Sequence, residues 1–145
     1  MNLSKAVKFT KIVNNLTASQ TETSSTILDM QGYDGVMFVL SFGSTVTTAN
    51  VTTLIARNSS ANSAAGMTNI SGGTATATAL AASSNNGCLS LDVFRPVKRY
   101  VDVDITRTAA NAVIDGVTAI QYAASVKPQT NDTTTFLQNT SIIGS

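Results

Sequence analysis

CLSLDVFRPVKRYVDVDITR, residues 88–107, contains two runs of alternating character separated by a proline. In the first, Leu89, Leu91 and Val93 alternate with Ser90 and Asp92; in the second, Val101, Val103 and Ile105 alternate with Asp102, Asp104 and Thr106. Successive side chains of a strand point to opposite faces, so each run reads as a strand with one face buried and the other solvated. Pro96 has no N–H to give to a ladder and marks the connection between them.

Outward from that stretch the same grammar continues. The apolar run 35–42, GVMFVLSF, has the character of a central strand covered on both faces. Asp34-Gly35 precedes it, and Asp-Gly readily takes the positive φ values of a hairpin turn, so residues 26–31 and 35–42 are expected to pair antiparallel. Asn86-Gly87 predicts the same between 74–80 and 88–94. Further strands are expected at 6–13, 50–57 and 112–126, the last broken by Asp115-Gly116 as a bulge or a turn. Residues 58–72 are dominated by Ser, Ala, Asn and Gly and read mostly as loop. Thr and Val, branched at Cβ and suited to a pleated surface, are frequent throughout. About eight short strands with turn signals, and almost no helical periodicity, predict an all-β antiparallel β-sandwich of jelly-roll type. The Cys…Trp…Cys spacing of an immunoglobulin-like sandwich is missing.

The 145 residues suit one domain, taken as 1–128, followed by an extended C-terminal arm, 129–145. The arm is polar to Thr135 and then carries Phe136, Leu137, Ile142 and Ile143, apolar side chains expected to pack on a neighbouring subunit. Composition argues against catalysis. There is no His, no Trp, one Cys and one Glu among 22 Thr, 16 Ser and 12 Asn, whereas acid–base, nucleophilic and metal chemistry lean on His, Cys and paired carboxylates. The chain therefore reads as a structural or binding protein, not an enzyme, with no cofactor and no metal. With 12% charged residues and a net charge of +1 it has no long-range field to gather nucleic acid. No run approaches the ~20 apolar residues of a membrane span. The first 20 residues lack the ~7–15-residue apolar stretch of a signal peptide. Cys88 has no second cysteine to pair with, which fits synthesis in a reducing cytoplasm, and is expected to be a small buried residue.

Two clusters invite a chemical reading. Asp102 and Asp104, two apart on a strand, share a face, which suggests a calcium or general-acid pair or, more simply, a solvated face pairing with nearby cations. Arg95, Lys98, Arg99 and Arg107 form the main basic cluster if 88–94 and 99–107 are adjacent strands. Phosphate binding, internal pairing with Asp92, Asp102 and Asp104, and docking to an acidic protein surface are its three readings.

The strings LDMQGYDGVMFVLSFG at 28–43, LDVFRPVKRYVDVDITR at 91–107 and AVIDGVTAIQYAASVKP at 112–128 together resemble small head proteins of tailed bacteriophages. The shared pattern is an apolar-Asp-x-x-Gly-Tyr/Phe-Asp hairpin, a Pro-x-Lys-Arg-Tyr-Val turn into a strand, and a late Asp-Gly strand pair. These look like capsid cement or decoration proteins. The resemblance implies a jelly-roll virion protein on the capsid exterior, made in the host bacterial cytoplasm. It would bind the major capsid protein and itself, as a dimer or trimer, through Arg95, Lys98, Arg99, Arg107 and the apolar residues of the arm. A carbohydrate- or receptor-binding module of a phage fibre or bacterial surface, with 58–72 as its site, is the alternative, disfavoured by the lack of rings for sugars to stack on.

Overall fold

Alternation of buried and accessible side chains organises nearly every strand. The structure, a computed structural model, describes residues 2–131 together with 134, 135 and 137. A single helical turn, Leu3–Ala6 (α1), precedes ten strand segments: β1 (Lys8–Val13), β2 (Leu16–Ser19), β3 (Thr23–Ser24), β4 (Leu28–Asp29), β5 (Gly35–Val46), β6 (Asn50–Ser59), β7 (Thr68–Leu80), β8 (Cys88–Phe94), β9 (Tyr100–Thr108) and β10 (Ala112–Tyr122). Two antiparallel sheets form. The first runs β1-β10-β5-β8 with β2 also on β10, and the second runs β3-β9-β6-β7 with β4 also on β9. Since β1 and β2 share one partner strand, and β3 and β4 share another, the ten segments occupy eight positions. Except from β6 to β7, successive positions pass back and forth between the sheets, which is jelly-roll winding.

The inner faces meet in one core. Val36, Phe38, Leu40 and Phe42 of β5 and Val117 and Ala119 of β10 face Leu54 and Ala56 of β6 and Val101, Val103 and Ile105 of β9, with Leu28 and Met30 closing one end. Val36, Phe38, Leu40, Val101, Val103 and Ile105 have no solvent exposure. Fully burying a side chain of this size contributes roughly 1.5–3 kcal/mol, so this interdigitated layer carries most of the stability.

The winding overturns the two expected hairpins. Among the described residues the only pairing of sequence-adjacent strands is β6 with β7. Residues 28–29 pair with β9 instead of 35–42, and β7 and β8 lie in different sheets. At Asp34-Gly35 the turn is made earlier, by Tyr33 N–H to Met30 O at 3.0 Å with Gly32 at φ 86°, and the chain crosses between sheets. Gly35 lies inside β5, where a Cβ would come within 2.3 Å of the Tyr122 ring. At Asn86-Gly87 the turn is bound to β5, through Phe42 N–H to Gly87 O (2.8 Å), Asn86 N–H to Gly43 O (3.0 Å) and Val46 N–H to Asn85 Oδ1 (2.8 Å). Of the two dipeptides only Asn86-Gly87 supplies a turn, with Asn86 at φ 60°, and in both places the flanking strands join opposite sheets of the one core. Asp115-Gly116 is a bulge: register shifts there, and Gly116 at φ 147° passes so close to β1 that a Cβ would meet Val13 O at 2.6 Å.

Other boundaries move modestly. β6 runs on to Ser59 and β7 starts at Thr68, shortening the expected 58–72 loop, and β10 ends at Tyr122. Cys88 is exposed, not buried, because parity places it with Ser90, Asp92 and Phe94 on the outer face of β8 while Leu89, Leu91 and Val93 point inward. No described helix is long and apolar enough to cross a membrane.

Candidate protein-docking face and basic turn

The basic cluster is split by the fold. Strands β8 and β9 belong to different sheets, so Arg107 does not join Arg95, Lys98 and Arg99. It continues the inward-facing series Val101, Val103, Ile105 and is 2% exposed. Its Nη1 donates to Thr17 O and Ala112 O, both at 2.7 Å, and its Nη2 to Ser19 Oγ (3.0 Å) and Thr21 Oγ1 (3.3 Å). Burial lowers the pKa of the guanidinium, which among the described residues has no carboxylate partner. Arg107, expected at the surface, is instead a buried staple joining β9 to β2 and β10. Counting by twos from Val101 is the signal that could have found it.

Asp102 and Asp104 do pair with a cation, as the simpler reading expects, but they are buried and not on a solvated face. Arg57 of β6 lies across both, with Nε to Asp102 Oδ1 at 2.9 Å, Nη2 to Asp102 Oδ2 at 2.6 Å and Nη1 to Asp104 Oδ2 at 2.8 Å. Asp102 is 1% exposed, and Asp104 Oδ1 is buried without a hydrogen-bond partner. The hydrogen bond to Asp102, opposed by burial, raises the Arg57 pKa above its ordinary value. Among the described residues, no three His, Cys, Asp or Glu side chains gather as a metal site.

Arg95, Lys98 and Arg99 do come together, on the β8–β9 connection at one end of the sandwich. Facing the β4–β5 connection, they line an open groove of about 620 Å³ with Met30, Tyr33 and Pro96. Main-chain bonds hold this end in shape: Met30 N–H to Arg99 O (2.9 Å), Arg95 N–H to Asp34 O (2.6 Å), Asp34 N–H to Tyr122 O (3.2 Å) and Ser125 N–H to Gly32 O (2.9 Å). Arg95 takes a left-handed backbone, φ 50°. Val97 at the tip is 93% exposed. Arg99 is already engaged, donating from Nε (2.8 Å) and Nη2 (2.6 Å) to the Asp29 carboxylate, which lowers the pKa of Asp29. Lys98 Nζ reaches Thr68 Oγ1 at 3.3 Å, and Arg95 lies over the Phe94 ring at 5.1 Å. Among the described residues neither Arg95 nor Lys98 has a carboxylate partner.

Phe94 connects this turn to a surface that reading the sequence missed, the outer face of the first sheet. Register sets Phe9, Ile120, Met37 and Asp92 in one row across four strands, with Tyr122, Gly35 and Phe94 in the row on one side and Lys11, Thr118, Val39 and Ser90 on the other. Gly35 leaves room for the Tyr122 ring to pass over it and lie parallel to Phe94, centroids 6.5 Å apart with 3° between planes. The Tyr122 hydroxyl donates to Asp92 Oδ1 at 2.7 Å; desolvation first, and then that bond, push its pKa up to about 12. Phe94 is 59% exposed, and the central Met37, Val39 and Ile120 stay partly accessible, so no described element covers them. The nearest sequence signal is the apolar run 35–42, whose character suggests a strand covered on both faces.

The arm begins differently from expectation. Gln129 N–H donates to Lys5 O (2.9 Å), Asn131 Oδ1 accepts from Phe9 N–H (2.7 Å) and Thr135 Oγ1 accepts from Lys11 N–H (3.3 Å). Residues 129–135, where described, therefore lie along β1 of their own domain, because the outer edge of that strand offers N–H groups that need acceptors. Leu137 is 86% exposed. Phe136, Ile142 and Ile143 lie outside the described residues.

No protein family and no curated protein matches this sequence. Solved structures that are similar include the following three. One is a disulfide-linked pilus protein of Bacillus endospore appendages (19% identity, TM-score 0.46, 83% of this chain and 91% of that one). Another is Clostridium thermocellum endo-1,4-β-D-xylanase 10B, comprising CBM22-1 and GH10 modules, with xylohexaose (13% identity, TM-score 0.47, 84% of this chain and 29% of that one). The third is Eiger TNF from S. frugiperda (7% identity, TM-score 0.38, 88% of this chain and 99% of that one).

Proposed function

We propose that this chain is a structural, non-enzymatic β-sandwich protein that docks on the outer surface of a bacteriophage head and braces contacts between major capsid subunits. The observation that carries this reading is the open outer face of the first sheet, where Phe94, Tyr122, Ile120, Met37 and Val39 form an apolar centre rimmed by Lys11, Ser90 and Asp92. An apolar centre rich in aromatic residues and Met, inside a polar rim, is the anatomy of a protein–protein interface. Arg95, over the Phe94 ring, and Lys98, further along the same turn, supply two cations for an acidic patch on the shell, while Asp29 neutralises Arg99. The sequence resemblance to phage cement proteins points the same way. The carbohydrate-binding alternative has less support, since residues 58–72 contain no aromatic residue to stack on a sugar.

The test is a pair of measurements on density-purified heads. The chain should be present in a fixed ratio to the major capsid protein; its absence from DNA-filled heads would sink the reading. Met37→Lys combined with Ile120→Glu places opposite charges directly across the β5–β10 register on that face. The variant should melt within about 5 °C of the parent, as expected for accessible positions, yet fail to bind heads. Unimpaired binding would mean the face is not the contact.

A further inference from the structure

We propose that β7 is a self-pairing edge: two copies of this chain join their β7 strands antiparallel about a twofold axis, so that the second sheet continues from one copy into the next. This does not depend on the docking face, which lies on the other sheet. A free edge presents a row of unpaired N–H and C=O groups, and proteins normally blunt such edges with charge, proline, brevity or a covering segment. Most edges of this sandwich are blunted. The outward N–H groups of Phe9 and Lys11 on β1 are taken by Asn131 and Thr135, β3 and β4 are two residues each, and β8 carries Asp92. Strand β7 is thirteen residues long, ends the second sheet, and contains no charge and no proline.

The partner that fits is a second β7. Gly72 (φ 74°) and Ala79 (φ 54°) frame a regular stretch, 74–78, whose exposed side chains are Thr74, Thr76 and Thr78 and whose other face carries Ala75 and Ala77. Antiparallel pairing about an axis at Thr76 sets Thr74 opposite Thr78 of the second copy and Ala75 opposite Ala77. Like meets like, with no charge to repel, as an isologous contact requires. Facing threonines can hydrogen-bond, as Thr76 and Thr53 do within one chain at 3.1 Å. The sandwich is also thin on this side: Ile70, Ala75, Leu80 and, on β8, Leu89 pack against the core but remain partly accessible. A second copy would cover them. A partner selected by charge finds no charge on β7 to recognise.

Sedimentation equilibrium from micromolar to millimolar concentration tests this. The parent should move from monomer to dimer, and Thr74→Lys combined with Thr78→Lys, which sets like charges opposite one another across the axis, should raise the dimer dissociation constant about tenfold or more. A parent that stays monomeric throughout, or a double variant that dimerises as well as the parent, would overturn the proposal. If the variant does not fold, hydrogen exchange on the parent decides. The outward amides within 74–78 should become protected as concentration rises, and exchange independent of concentration there would refute self-pairing.

Discussion

On the outer face of the first sheet, Phe9, Ile120 and Met37 stand side by side in register; at the corresponding place on the second sheet stand Asn69, Arg57 and Asp102. Each row crosses antiparallel strands whose opposite faces build the same core. The second face is closed mainly by its own polar groups. Arg57 covers Asp102 and Asp104, leaving Asp104 Oδ1 without a hydrogen bond, and Thr53 pairs with Thr76 across strands. The first face leaves apolar area partly in water with no described element above it. Within one sandwich, then, polar chemistry marks the face that is structurally closed, while accessible apolar chemistry marks the face available for association.

Closure of the second face depends on Arg57. Arg57→Met leaves Asp102 and Asp104 buried with no cation, and stranding a buried charge in this way costs about 3–5 kcal/mol. Denaturant unfolding should register a loss of that size. Replacing all three residues by apolar side chains of similar volume should recover much of it, since the desolvation penalty disappears along with the attraction. If Arg57→Met costs less than about 1 kcal/mol, the value of an exposed pair, the carboxylates are solvated after all.

This burial was not legible in the sequence, and the reason is distance along the chain. Alternation placed Asp102 and Asp104 on the face opposite the core, but Arg57 lies on another strand and only the β6–β9 register brings it over them. Arg107 was legible and overlooked: it follows Val101, Val103 and Ile105 at the same parity. The strands themselves were clear because a period of two survives in 88–94, 101–107 and the late Asp-Gly bulge. The topology was not, since Asp-Gly and Asn-Gly report only what the backbone tolerates locally, and here both serve crossings between sheets. Of the candidate site, Arg95, Lys98 and Arg99 could be read because they lie within five consecutive residues. The apolar outer face could not, because a continuous apolar run does not reveal whether its second face is covered.

A middle-sized effect sharpens the account of the open face. Tyr122 belongs there by its ring but gives its hydroxyl to Asp92, and its pKa is pushed up to about 12. The folded state thus holds the phenol proton more tightly than the unfolded chain, where a tyrosine titrates near ~10. That stabilisation is fully present below pH ~10 and is lost as pH rises toward the folded value. Burial also raises the pKa of Tyr33, which adds to the loss on the alkaline side. Tyr122→Phe keeps the stack on Phe94 and removes the hydrogen bond. It should lower stability at neutral pH by about 0.5–1.5 kcal/mol and flatten the fall in unfolding midpoint above pH ~10. An equally steep alkaline fall in the variant would show that the Tyr122 proton is not responsible.

The smallest effect on stability lies at the rim, where Asp29 and Arg99 pair at the surface with both side chains nearly half exposed. Arg99 lowers the Asp29 pKa chiefly through its hydrogen bond, so the pair's contribution is present above the ordinary aspartate value of ~3.9 and fades as pH falls through the lower folded value. Water and salt screen such a pair, and Asp29→Asn should leave the thermal midpoint at pH 7 within the error of measurement. Its consequence falls on association instead. Asp29 cancels one of three cations on the basic turn, and the substitution releases Arg99 beside Arg95 and Lys98. If the turn meets an acidic surface, Asp29→Asn should bind heads more tightly at low salt, with an advantage that shrinks as salt is added. Replacing Arg95 and Lys98 by Ala should do the reverse and weaken binding most at low salt. If all these variants bind with the parent's affinity and salt dependence, the turn is only a solvated end of the sandwich and docking rests on the apolar face alone.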